Sequence, residues 1–449
     1  MAPKPIIFIH GWSDHSNSFG KLKSFLNESL GRPVESIFLG NYISMDNEVG
    51  FDDLRAALDR AWDANGLPRT KRSVDVIVHS TGALVIRDWM THHFKANTNP
   101  INRLLMLAPA NFGSPLAHKG KAFLGRVVKG WRSEKRFQTG KRILTGLELG
   151  SDFSYELAKR DCFVGSGAPW YGKGACLATV LVGNTGYSGV SSLANEEGGD
   201  GTVRVSTAAL NPVLIKADFS IGNPKLKIIK SKGEVGLGVI EGDNHSTIAF
   251  KSKGPKGQGV EELVLKALKV TDNSFDDFLS TLRERTKQTM LAALELKDSD
   301  DREYRHGFQN TVFFVKDHFG NPVEEYFLDF TVKDHDKKGF LGRFFQEKAI
   351  RKVHNFSGNE AYRSIHIDCT RLAEKLDKSD ESMILDLHGE PQLKENKYVG
   401  FRPLGAEGGG LKITQAQAKL AFVENRTALV EITLRREQVK KVFELNPMG

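Results

Sequence analysis

Cysteine is scarce in this 449-residue chain, which holds three: Cys162, Cys176 and Cys369. That number cannot build a disulfide framework, so stability has to come from packing. Long apolar runs are missing as well. None approaches the about 18 residues that a membrane-spanning helix needs, which argues against an integral helical membrane protein. The first apolar run, Ile6–Ile9, has four residues. A signal-peptide core takes about 7–15, so the run predicts a buried strand and no cleavable signal. Metal-ligand patterns are also poor. Asp298, Asp300 and Asp301 fall short of a calcium loop, and His92-His93 lacks nearby cysteine or carboxylate ligands. The glycines at 233, 236 and 238 lack the dinucleotide spacing, and a hairpin is the plainer reading. We expect neither a catalytic metal nor another cofactor. Repeats and low-complexity tracts are absent.

What is there is globular in composition. Hydrophobic residues make up 40% and charged residues 26%, which excludes a fibrous or mainly disordered chain. The net charge of +8 suits an anionic surface, membrane or nucleic acid, without choosing between them.

Strands and helices alternate in the first part. Ile6–Ile9, Val74–Val78, Leu104–Leu107 and Thr179–Val182 read as strands. Phe19–Leu30, Phe51–Trp62 and Ala83–Met90 carry helical spacing. The alternation predicts an α/β domain with a mostly parallel sheet over 1–270. Helical patterns dominate from about 115 to 175, which reads as an insertion over the sheet. Residues 271–299 read as a helical linker ending in solvated Asp298–Asp301. Beyond 300 the pattern turns to strands, at Thr311–Val315, Glu325–Val332, Ser364–Asp368, Met383–Leu387 and Thr427–Leu434. These predict a sandwich-like β domain over 300–449, with a hairpin loop at His318–Pro322 between its first two strands.

The strongest chemical feature is Val74-Asp75-Val76-Ile77-Val78-His79-Ser80-Thr81-Gly82-Ala83-Leu84. A serine at a strand-to-helix turn is the context of a nucleophile elbow. The first glycine of the usual G-x-S-x-G is Val78 here. A plain helix-capping serine would look the same in isolation, so its partners have to decide. Such folds order the chain Ser, acid, His. Asp200 sits on a glycine-flanked loop after a late strand, where an orienting carboxylate belongs; Glu196, Glu197 and Asp243 are its rivals. His245 follows two further strands and is the only histidine between Asp200 and His306. Its side chain can take and return a proton near neutrality. For the oxyanion hole, backbone N–H groups of Trp12, in His10-Gly11-Trp12-Ser13, and of Thr81 are the candidates.

With these parts in place, residues 1 to about 270 resemble the α/β-hydrolase lipases. The closer likeness is to PlaB-type bacterial phospholipases A, carried by His79-Ser80-Thr81-Gly82, Gly199–Val203 and Asn244-His245-Ser246. The resemblance implies an α/β-hydrolase fold with a helical lid insertion and a C-terminal β-rich domain. It makes Ser80, Asp200 and His245 the triad and glycerophospholipids and lysophospholipids the substrates. It also implies a membrane-associated bacterial homo-oligomer.

The insertion speaks to the substrate separately. From Lys119 to Arg142 there are nine Lys/Arg and one acid, Glu134. Phe123, Leu124, Val127 and Trp131 recur at helical spacing beside Lys129 and Arg132. A basic amphipathic helix of this kind can lie on an anionic lipid surface; a helix packed on the sheet with a solvated face is the bland alternative. A second basic–aromatic patch, Lys337–Phe345, reads either as a membrane or subunit contact or as core. No nucleic-acid motif accompanies it, and we expect no nucleic-acid partner. The resulting expectation is a phospholipase A made in the cytoplasm and acting peripherally at a phospholipid membrane. A soluble carboxylesterase or thioesterase, or a membrane-binding protein with a silent hydrolase fold, are the competing classes.

Overall fold

The computed structural model describes residues 4–9, 19–31, 34–37, 47–119, 140–221, 224, 226–251, 254–331, 340–378, 382–393, 399–402 and 410–438. The chain forms two units. One comprises residues 1–212, 231–307 and 425–427, the other 213–230, 308–424 and 428–449.

The first unit is built on a six-stranded sheet. Its strands are β1 (Ile6–Ile9), β2 (Glu35–Ile37), β3 (Val74–His79), β4 (Ile101–Leu107) and β5 (Leu177–Gly183). Next in the chain, β6 (Val213–Asp218) and β7 (Leu226–Lys230) leave for the other unit, and β8 (Val235–Ile240) returns to complete the sheet. The order is β2-β1-β3-β4-β5-β8, and every pairing is parallel. Parallel strands covered on both faces need apolar side chains on both faces, and β1, β3 and β5 are buried at every position.

Helices α1 (Gly20–Leu30), α2 (Phe51–Ala64) and α3 (Gly82–His93) alternate with the early strands. Asp53 returns its carboxylate to the Gly50 amide at 2.8 Å and, with Asp52, places negative charge on the first turn of α2. Trp62 of α2 stacks on Trp89 of α3 with centroids 4.4 Å apart. Between β4 and β5 the described residues form α4 (Lys141–Leu147) and α5 (Asp152–Asp161), the latter capped by Ser151. The amphipathic stretch Phe123–Arg132 lies outside the described residues.

Later come α6 (Val205–Ala208), α7 (Val260–Lys269), α8 (Phe275–Leu294) and α9 (Ser299–Tyr304). Sequence reading made 271–299 a linker, but α8 is part of the first unit. It packs on β8, the last strand of the sheet. Thr286 accepts from the Val239 amide at 3.1 Å and donates to the Leu237 carbonyl at 3.0 Å, and Thr289 donates to the Val239 carbonyl at 2.9 Å. These hydroxyls satisfy backbone groups that an edge strand leaves open. Gly236 leaves room for that packing, since a Cβ there would lie 2.6 Å from the end of the Leu282 side chain. Gly236 and Gly238 thus let a helix approach a strand. The glycine run at 233–238 forms no hairpin, because β7 and β8 belong to different sheets. Asp298, read as solvated linker, caps α9 by accepting from the amides of Asp300 and Asp301.

The second unit has two main sheets. Its strands continue as β9 (Phe308–Asp317), β10 (Tyr326–Thr331), β11 (Ile350–Asn355), β12 (Tyr362–Asp368), β13 (Met383–Gly389), β14 (Val399–Phe401), β15 (Leu411–Ile413), β16 (Arg426–Leu434) and β17 (Arg436–Gln438). One sheet runs β11-β12-β9-β16-β6-β7 and the other β10-β13-β15, with β14–β17 as a separate pair. Residues 213–230, read as part of the first domain, pair here: β6 lies parallel to β16. The turn at His318–Pro322 is tight, with the Asp317 amide donating to the Asn321 carbonyl at 2.8 Å. Its two strands then part into different sheets. A continuous apolar core includes Ile215, Phe313, Phe330, Phe345, Leu387 and Ile432. Leu341 and Phe345 of the second basic–aromatic patch belong to it, whereas Lys337–Gly339 lie outside the described residues.

Candidate active site

The site gathers where β3, β5 and β8 end, at the carboxyl edge of the parallel sheet, where open α/β folds place their chemistry. Ser80 directly follows β3, and α3 begins at Gly82. Its φ is +54°, a left-handed conformation that a residue with a Cβ rarely adopts. The strain is held by backbone bonds on both sides. The Ser80 amide donates to the Leu107 carbonyl, and its own carbonyl accepts from Ala83 and Ala110, each at 3.2 Å. Such a pinned turn lifts the hydroxyl out of the strand's plane. Thr81 is buried at the entry of α3, which aims its amide with the helix N-terminus. Trp12, the other oxyanion candidate, lies outside the described residues.

His245 lies in the loop after β8. Its Nε2 is 3.2 Å from Ser80 Oγ and its Nδ1 is 3.0 Å from Asp200 Oδ2. The structure therefore brings the three predicted residues into one hydrogen-bonded line. The backbone repeats the link, because the His245 amide donates to the Asp200 carbonyl at 2.9 Å. Asp200 is fully buried. Its Oδ1 accepts from the amides of Thr202 and Val203 at 2.9 and 2.8 Å. With one oxygen fixed by the turn, the other faces the imidazole. Those bonds keep the carboxylate and the ring from rotating independently.

Two of the rival acids have other work. Asp243 accepts from the Thr247 hydroxyl at 2.6 Å and from the amides of Lys256 and Gly257 at 2.8 and 3.0 Å. It ties the His245 loop to residues 256–257. Gly183 makes room for that loop, since a Cβ there would fall 2.0 Å from the Asp243 carbonyl oxygen. Glu196 pairs with Arg204 at 2.5 Å, with both side chains buried. Burial lowers the Arg204 guanidinium pKa against the pull of Glu196.

Sequence reasoning missed the groups that hold these loops. Tyr304, at the end of α9, donates its hydroxyl to the Gly199 carbonyl at 3.0 Å, while the Gly198 amide donates to the Tyr304 carbonyl at 2.7 Å. Burial, and then the negative charge of Asp200, push the phenol pKa well up, so Tyr304 stays a donor. Nothing in the spacing connects residue 304 with residue 200. Arg87, seven residues beyond Ser80 in α3, forms a fully buried pair with Asp161 of α5 at 2.7 and 3.1 Å. Tyr171 donates to the same carboxylate at 2.6 Å, and the guanidinium also donates to Asn111 at 3.1 and 3.2 Å. Burial alone would lower the Arg87 pKa, but the Asp161 charge outweighs it and the net shift is upward. Burial raises the pKa of the Cys162 and Cys176 thiols, which keeps them protonated and poor nucleophiles. Among the described residues no group of three or more His, Cys, Asp or Glu side chains could hold a metal ion.

The parallel sheet, the strained elbow and the acid–histidine order define an α/β-hydrolase fold carrying an additional β-rich unit. Two solved structures share that architecture over nearly the whole chain. Phospholipase PlaB from Legionella pneumophila superposes with a TM-score of 0.80 at 24% identity, covering 98% of this chain and 96% of that one. The same enzyme in complex with thio-NAD superposes at 0.79 with 25% identity and equal coverage. The fold is that of the PlaB-type phospholipases. No protein-family model matches the chain, and no curated protein matches it.

Proposed function

We propose that this protein is a serine phospholipase A with lysophospholipase activity, working as a homo-oligomer at a phospholipid membrane surface. The observation that carries the reading is the line Ser80–His245–Asp200, with distances of 3.2 and 3.0 Å, beside a serine held at positive φ. In this reading Ser80 Oγ attacks the ester carbonyl of the lipid while His245 Nε2 takes its proton. Asp200 holds the Nδ1–H tautomer and stabilises the imidazolium. Amides of Thr81 and Trp12 bind the oxyanion of the tetrahedral intermediate. Its collapse expels the lysolipid or glycerophosphodiester alcohol, protonated by His245. Water, activated by the same imidazole, then frees the fatty acid from Ser80.

Support for a lipid ester comes from the PlaB-type fold and from the sequence of the insertion, with its basic residues and its apolar Phe123, Leu124, Val127 and Trp131. Among the described residues no helix is long and apolar enough to cross a membrane, so the membrane contact in this reading is peripheral. The test is fatty-acid release from mixed phosphatidylcholine–phosphatidylglycerol vesicles by wild type and Ser80→Ala, beside a short soluble ester. Release that depends on Ser80 is the expected result. Turnover of the soluble ester alone would keep the nucleophile and remove the lipid, leaving a soluble esterase.

A further inference from the structure

We propose that His79, the residue before the nucleophile, is a positioning residue for His245. The inference rests on the reading that Ser80 and His245 carry the hydrolysis. His245 sits on a loop, not on a strand or helix, and a base on a loop needs anchors if its ring is to stay within proton-transfer distance. One anchor is the bond of its amide to the Asp200 carbonyl. The other is His79. The Nε2 of His79 is 3.1 Å from the His245 carbonyl oxygen. A carbonyl only accepts, so His79 Nε2 carries the proton and donates. The two rings also pack together with centroids 4.6 Å apart, and Phe19 meets the His79 ring edge-on at 5.5 Å. His79 is almost fully buried.

The arrangement links base and nucleophile through the main chain. His79 is bonded covalently to Ser80, so any movement of the elbow carries the anchor of His245 with it. The separation of Ser80 Oγ from His245 Nε2 is thereby fixed from both residues' backbones, independently of the side-chain bond between them. A strand histidine that merely needed a partner for its polar edge could be replaced by an apolar residue of similar size at no catalytic loss. A positioning histidine could not, and a donor of similar length should rescue it.

The experiment compares His79→Met, which fills the space without a donor, with His79→Gln, which keeps an N–H. Both are assayed on a short p-nitrophenyl ester beside wild type and Ser80→Ala, with imidazole ¹⁵N spectra of each protein. We expect His79→Met to lower kcat by roughly 10–100-fold with KM within about twofold, the scale of a displaced catalytic group. His79→Gln should return to within about fivefold of wild type, because it restores the donor. Unchanged kcat in His79→Met, or equal losses in both variants, overturns the proposal. If His79→Met does not fold, His79→Gln decides alone: near-normal kcat supports it, and a loss beyond about tenfold ends it. If wild type shows no Ser80-dependent turnover, the hydrolase reading fails. The spectra then decide the positioning claim: a changed His245 tautomer signal in His79→Met keeps it and an unchanged one removes it.

Discussion

In the first unit the site residues hang from loops, and the groups that tie those loops and the adjoining helices are charged or polar and buried. Arg87–Asp161 and Glu196–Arg204 are both buried, and Asp243 accepts from three donors. In the second unit the two sheets meet through an apolar core, and a buried acid such as Glu431 is met by lysines that keep partial contact with water. Apolar packing is non-directional and tolerates small displacements. Hydrogen-bonded ions are directional and fail sharply when one partner is removed. The proposed triad needs a geometry kept to fractions of an ångström, which directional bonds can hold.

The largest effect should fall on the acid. Asp200→Asn is expected to lower kcat about 10⁴-fold by losing the imidazole tautomer. Asp243→Asn should cost far less; steady-state rates that rank the two the other way would reassign the acid. Next, Asp161→Ala leaves Arg87 buried without its counter-ion, at a cost of about 3–5 kcal/mol. The stretches that make up the second unit contain no tryptophan, so the urea midpoint of tryptophan emission reads this loss in the first unit directly. The matching test in the second unit is Leu387→Ala, which opens a cavity at a fully buried position and should cost about 2–5 kcal/mol. Its circular-dichroism transition should move ahead of the tryptophan one. Equal shifts of both signals would mean that the two units melt together.

The smallest effect tests the charged rim. Burial would raise the Glu431 pKa, but Lys216 and Lys316, at 3.2 and 3.1 Å, hold it below its ordinary 4.5. A carboxylate with a depressed folded pKa adds stability above its unfolded value and loses it as the pH falls through the folded one. Glu431→Gln should therefore lower Tm slightly at pH 7, by the equivalent of under about 1 kcal/mol given the partly exposed lysines. Near pH 3 the difference from wild type should shrink; a constant difference would show that shape, not charge, sets the effect.

The parts of the molecule that were legible in the sequence are those whose signal is local. The elbow announces itself because strand, serine, glycine and helix are contiguous, and the strands of the β-rich unit show in their alternation. Pairing was not legible. The apolar run of β6 is equally suited to either sheet, and its parallel partner, β16, begins at Arg426, more than 200 residues later. Helix α8 looked like a linker because amphipathicity does not reveal which strand Thr286 and Thr289 will satisfy. Tyr304 was invisible for the same reason: its hydroxyl meets the Asp200 loop only after the chain has folded back.

The excursion of β6 and β7 also settles what kind of addition the second unit is. It is not a tail. Read from the N-terminus, the chain reaches Asp200, crosses into the other unit for a hairpin, and only then returns to supply His245. A protease cutting after Gly307 would leave every proposed triad residue in the N-terminal fragment. Removal of the C-terminal fragment would strip β16 from β6, leaving Leu214, Ile215 and Ala217 without their parallel partner, midway in the chain between acid and base. The two units are thus stitched rather than strung together, and no single cut in the chain parts one from the other.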